Sequence, residues 1–236
     1  MRTPIMHIAK WSAVVALCLQ LAVTARAEDR PAPHAGQRIA NAYGFAHWDE
    51  VVEIRYTFNV KTPERETARH WTWRPKDDTV TLEVEGEPTI TYKRGELDEN
   101  TSDEVMTADK RFINDSYWFL FPYQLVWSNP TITDRGESPL PIGEGTGRKL
   151  TVQYPAEGGY TPGDAYDIYL GGDALITHWV FRKGGGDKGN PMTWENTIDL
   201  GPIKVCTDHY NTDKSFRLFF TSIRLTTADG KTFDAD

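Results

Sequence analysis

The chain has 236 residues, with 26 Lys and Arg against 34 Asp and Glu, a formal charge of −8. An acidic chain is a poor polyanion binder, because phosphate contacts need clustered Lys and Arg, so nucleic acid is excluded as an expected partner. Two cysteines are too few for a cross-linked scaffold, and stability must come from a packed core.

Residues 1–27 read as a secretory signal peptide. Arg2 and Lys10 give a positive start, Trp11 to Val23 is a largely apolar stretch without charge, and Ala25-Arg26-Ala27 is a small-x-small cleavage site. The stretch is too short, and too interrupted by Ser12 and Gln20, for a good membrane span. The expected mature protein is therefore exported, periplasmic and not membrane-spanning. Cleavage after Ala27 would leave 23 Lys and Arg against 34 Asp and Glu, a charge of −11, and Cys206 as the single cysteine. Residues 28–34, with two prolines, read as a disordered lead-in, and 35–236 as one domain.

Ala35 to Trp48 predicts a helix, with Ile39, Ala42, Tyr43 and Ala46 on one face and Gly36 and Gly44 weakening it. The period then changes to two. Val52, Ile54, Tyr56, Phe58 and Val60 alternate with polar residues, as do Trp71 and Trp73, then Val80, Leu82 and Val84, then Ile90 and Tyr92. Strands joined by such short turns should form an antiparallel meander. Glu96 to Asp109 can begin a helix. Phe112 to Phe121 is an aromatic helix, apolar on every side from Tyr117, and such a helix must be buried. Pro122 should end or kink it. A Pro- and Gly-rich loop from Ser128 to Gly147 holds a short strand at Thr131 to Arg135. Strand rhythm returns at Leu150 to Tyr154, Tyr166 to Leu170, Leu175 to Arg182, Met192 to Leu200, Ile203 to Tyr210 and Phe216 to Leu225. The expected fold is mainly β (α+β): a large, strongly curved antiparallel sheet, or unclosed barrel, of about ten or eleven strands. The N-terminal helix and the inserted aromatic helix would cover its concave face.

The chain resembles exported bacterial proteins related to the lipoprotein-localisation carriers (LolA/LolB-like). The resemblance rests on Asn114-Asp115-Ser116-Tyr117-Trp118-Phe119 leading to Pro122-Tyr123, on the turn Thr161-Pro162-Gly163-Asp164, and on the order of helix and strands over residues 35–225. It implies an unclosed, curved antiparallel barrel whose hollow shelters acyl chains, and hence a lipid, acyl chain or lipoprotein as partner.

The candidate walls of an apolar cavity are Tyr117, Trp118, Phe119, Phe121 and Tyr123 from the aromatic helix, with Trp71, Trp73 and Trp179 from strands. The bland alternative is that these rings fill the hollow as core. Gly143 to Lys149 leads into a strand rather than a helix, so it lacks the helix N-terminus of a phosphate loop. No catalytic residue, metal site or cofactor is expected: no Gly-x-Ser-x-Gly occurs, and His34, His47, His70, His178 and His209 show no metal-ligand spacing. Two rivals to an apolar-ligand carrier remain open. One is an envelope hydrolase with a dispersed Asp/His site around His178 or His209, and the other a solid-core structural or protein-interaction domain. Alternation places Cys206 on the polar side of its strand with Lys204 and Asp208.

Overall fold

A computed structural model describes residues 34–158, 160 and 162–236. The export signal expected over 1–27, the lead-in up to residue 33, and Thr161 of the expected turn lie outside the described residues.

Helix α1 spans Ala35–Ala42, and the His34 side chain caps it by accepting from the Gln37 amide. The helix expected to reach Trp48 stops at Tyr43. Gly44 has φ +88°, and a Cβ there would lie 2.4 Å from the Pro202 carbonyl oxygen, so the chain turns where only glycine fits. A 3₁₀ turn over Phe45–Glu50 follows.

Four strands form the expected meander: β1 (Val51–Lys61), β2 (Glu66–Arg74), β3 (Thr79–Glu83) and β4 (Ile90–Lys93). Ile54, Tyr56 and Phe58 face the core as the alternation predicts, but Val51 rather than Val52 joins them. A bulge between Val51 and Glu53 shifts the register there.

Helix α2 runs Asp103–Trp127, capped by the Ser102 side chain accepting from the Val105 amide. Pro122 kinks this helix without ending it: Leu120 leaves helical geometry at φ −123°, ψ 23°, and the helix continues for five more residues. The chain then forms β5 (Thr131–Pro139), β6 (Thr146–Gln153), β7 (Ala165–Leu170), β8 (Ile176–Arg182) and β9 (Asn190–Thr193). The last strands are β10 (Glu195–Leu200), β11 (Ile203–Tyr210), β12 (Arg217–Thr227) and β13 (Thr232–Ala235).

The single, strongly curved sheet of ten or eleven strands is not what forms. The strands divide into two open antiparallel sheets, and neither is strongly curved. The larger has the order β10-β11-β12-β1-β2-β3-β4, with β13 on β12, and the smaller runs β5-β6-β7-β8-β9. Two breaks cause the division. The 25 residues of α2 separate β4 from β5, so that ladder cannot continue. The run expected as one strand over Met192–Leu200 splits at Trp194: β9 pairs with β8, while β10 pairs with β11.

Rings of α2 pack on both sheets. Phe112 meets Trp71 and Trp73, and Phe119 meets Tyr56 and Phe220, all in the larger sheet. Phe121 meets Tyr166 and Trp179 of the smaller one. One continuous hydrophobic cluster results. Cys206, expected beside exposed polar neighbours, is fully buried, because β11 is covered on both faces. Burial pushes its thiol up to about 12, so it is not a reactive thiolate. Among the described residues no helix is long and apolar enough to cross a membrane.

Candidate functional site: an aromatic cavity beside helix α2

Two stripes at helical spacing give α2 two different faces. Phe112, Asp115, Phe119 and Tyr123, three and four residues apart, are all buried. Lys110, Ile113, Tyr117 and Gln124 lie on the other side and line a cavity of about 910 Å³. That volume falls within the roughly 300–1,000 Å³ usual for small-molecule sites.

Two buried carboxylates hold the helix in place. Asp115 accepts from Arg69 through both oxygens, at 2.7 and 2.8 Å, from the Trp71 indole at 2.9 Å, and from Asn114 at 3.0 Å. Burial raises its pKa, while the hydrogen bonds and charge of Arg69 work in the opposite direction. One turn and a half earlier, Asp109 accepts from the Tyr92 hydroxyl (3.1 Å), Arg94 Nε (2.9 Å) and the Tyr160 hydroxyl (2.5 Å). Tyr160 belongs to the β6–β7 connection, so this carboxylate ties that loop to α2 and to β4 at the cavity rim. The bond to Asp109 comes second to desolvation in pushing the Tyr160 hydroxyl up to about 12. Near the other end of α2, the Tyr123 hydroxyl lies 2.5 Å from the Tyr43 carbonyl and 3.0 Å from that of Lys204, joining α2 to the end of α1 and to β11.

The kink also leaves a backbone carbonyl unpaired within the helix, at Trp118 of the cavity wall. Pro122 has no N–H for the Trp118 carbonyl one turn earlier. His209, fully buried, faces that backbone, and its ring lies 5.3 Å from the Trp118 ring and 4.7 Å from Trp194. Its Nδ1 is 3.1 Å from the Thr193 carbonyl, which can only accept, so the neutral ring carries its proton on Nδ1. Nε2 has no hydrogen bond of good geometry. Burial pulls the His209 pKa down to about 4.

The expected wall residues separate into two groups. Tyr117, Trp118, Trp73 and Trp179 line the cavity. Phe119, Phe121, Tyr123 and Trp71 do not line it and pack in the core, and Trp179, although at the cavity wall, is as deeply buried as they are, at 1% exposed. Further rings complete the walls: Trp48, Phe112 and Trp127 at the end next to Trp73, and Tyr154, Tyr166 and Phe181 at the end next to Trp179. The second trio was accessible to alternation, since Tyr166 is in register with Phe181 and Val152, and so faces inward with them. Charges of both signs stand around the lining, with Arg94 and Lys110 opposite in sign to Asp78, Glu157 and Asp164.

Neither His178 nor His209 lines this cavity. His178 is half-buried beside the Thr177 hydroxyl, and burial lowers its pKa. The carboxylate next to His209 in sequence, Asp208, is held by Arg217 through both oxygens. Among the described residues no group of three His, Cys, Asp or Glu is placed to hold a metal ion.

No protein-family model and no curated protein matches the chain. It is similar in structure to several solved proteins. A LolA superfamily protein from Nitrosomonas europaea is 9% identical, with a TM-score of 0.46 over 80% of this chain and 92% of that one. A DUF1329 family protein from Desulfovibrio piger is also 9% identical, with a TM-score of 0.44 over 81% and 92%. A domain from Vibrio parahaemolyticus, described in terms of outer membrane lipoprotein sorting, is 13% identical, with a TM-score of 0.44 over 82% and 92%. At these identities and scores, no residue's role carries across.

Proposed function

We propose that this is an exported, periplasmic protein that holds a lipid-like or other apolar guest in the cavity beside α2. The guest would be a lipid, an acyl chain or the acylated part of a lipoprotein. The observation that carries this reading is the 910 Å³ space itself, walled by rings along one side of a helix whose Asp115, Phe119 and Tyr123 pack in the core on the other, with Phe112 at the border of the two. A helix needed only as a plug would leave no such volume beside it, because interiors are close-packed. Burying apolar guest surface there would supply the affinity, at about 25 cal/mol per Å² before the cost of immobilising the guest. The polar groups at the rim would orient the guest's head.

Export rests on the charge, apolar and cleavage pattern of residues 1–27. The core-facing rings serve stability, and Tyr117, Trp118, Trp73 and Trp179 are the members of the expected set that would touch the guest. Native mass spectrometry and organic extraction of the protein purified from its exporting cells test this directly. A bound apolar molecule of constant mass is the expected result. Repeated recovery of empty protein that also takes up no added amphiphile would contradict it.

A further inference from the structure

The walls of this cavity are unusual for a hydrocarbon site. Eleven of the twenty-four described residues lining it carry aromatic rings, and Ile113 is the one branched aliphatic among those twenty-four. Among the described residues no Met or Leu lines it, although those are the side chains that adapt to a flexible, variable chain. The rings are also fixed by one another. Trp118 lies 4.3 Å from Trp179, Tyr166 4.9 Å from Trp179, and Trp48 4.8 Å from Trp127, centroid to centroid. Ring side chains have few rotatable bonds, so such a wall is rigid and presents flat faces and edges. The exposed large hydrophobic residues among those described are Trp127, at 37%, and Tyr160, at 39%, and both stand at this cavity.

We infer that the guest is a flat, π-bearing amphiphile, one with an aromatic ring or a conjugated segment, rather than a saturated chain. This rests on the reading of the cavity as a binding site and narrows its chemistry. Two physical effects favour such a guest. A rigid planar molecule loses fewer rotors on entering a rigid slot than an alkyl chain does. Each new ring–ring contact adds to the area term, by roughly 2- to 10-fold in affinity. The mixed charges near the rim, Arg94 and Lys110 against Asp78 and Glu157, suit a neutral polar head better than a strong ion of either sign.

The test is a matched pair of probes, 4-nonylphenol and 4-nonylcyclohexanol, which share a tail and a hydroxyl and differ in whether the ring is aromatic. Calorimetric titration of each into the mature protein should show the phenol binding about 3- to 10-fold more tightly. Trp127→Leu and Tyr117→Leu, which touch exposed and half-buried rings rather than the core, should bring the two affinities to within about twofold. Equal binding of both probes to the wild-type protein would overturn the inference and leave the apolar-guest reading standing. Binding of neither would overturn both. A preference that survives in both variants would place the ring contact elsewhere and contradict the role given to this wall.

Discussion

The two faces of α2 carry the same kind of residue to different ends. On one face Phe119 and Tyr123 are wholly buried, with Phe119 against Tyr56 and Phe220, and Asp115 bonded to Arg69. On the other, Tyr117 and Trp118 are half-buried and border open space. Aromatic content alone therefore says little about role. What separates the faces is whether strands approach the ring from every side. Tyr117, Trp118 and Trp127 have neighbours behind and beside them, but open space in front.

Substitutions can break or sharpen this contrast, and the largest effect belongs to the buried face. Arg69→Met should cost about 3–5 kcal/mol, because it leaves the Asp115 carboxylate buried without its cation. Chemical denaturation would measure it, and a loss below about 1 kcal/mol would mean that Asp115 is neutral or reaches water. Phe119→Ala should cost a similar amount, about 3–5 kcal/mol, by opening a void between α2 and the larger sheet. Guest affinity should change little in whatever fraction remains folded.

His209 lies at the boundary, behind Trp118. Its folded pKa of about 4 lies below the ordinary value of 6.5, so the unfolded chain binds the proton more readily. Its contribution is full above about pH 6.5 and is lost as pH falls through 4, and is worth roughly 3 kcal/mol in total. Unfolding free energy followed from pH 7 to 4 should show that slope, and His209→Phe should flatten it. The smallest stability effect belongs to the open face. Trp127→Ala, at a residue 37% exposed that still contacts the Trp48, Trp73 and Tyr123 rings, should cost about 1–2 kcal/mol, well below Phe119→Ala, while weakening guest binding. A Trp127 variant as damaging as Phe119→Ala would erase the contrast between the faces.

Much of the fold was legible where the pattern is local. Period-two alternation located β1 to β4, and the aromatic run located a kinked helix in α2, buried at Phe119 to Phe121 but only half-buried at Tyr117 and Trp118. What escaped depends on long-range contacts. The separation of the two sheets turns on Trp194, which sits inside an unbroken strand-like run, and nothing in that run marks where pairing changes partner. Gly44 read only as a weak helix former, because the Pro202 carbonyl that forbids a side chain there is far along the chain. Cys206 read as polar-faced, since alternation cannot reveal a strand buried on both sides. The site was partly legible. Tyr117, Trp118, Trp73 and Trp179 were in view, whereas the Asp109 junction that draws Arg94 and Tyr160 to the rim joins residues up to 51 positions apart.

The central claim is that the space beside α2 takes an apolar guest against Trp118 and Trp127. Titration with a ring-brominated 4-nonylphenol, whose bromine quenches indoles only on contact, tests this most directly. Saturable quenching of the wild-type protein is expected, with a clearly shallower maximum in the Trp118→Phe, Trp127→Phe double variant, where Trp48, Trp73 and Trp179 still line the cavity. No saturable quenching, or quenching of equal depth in the double variant, would contradict it.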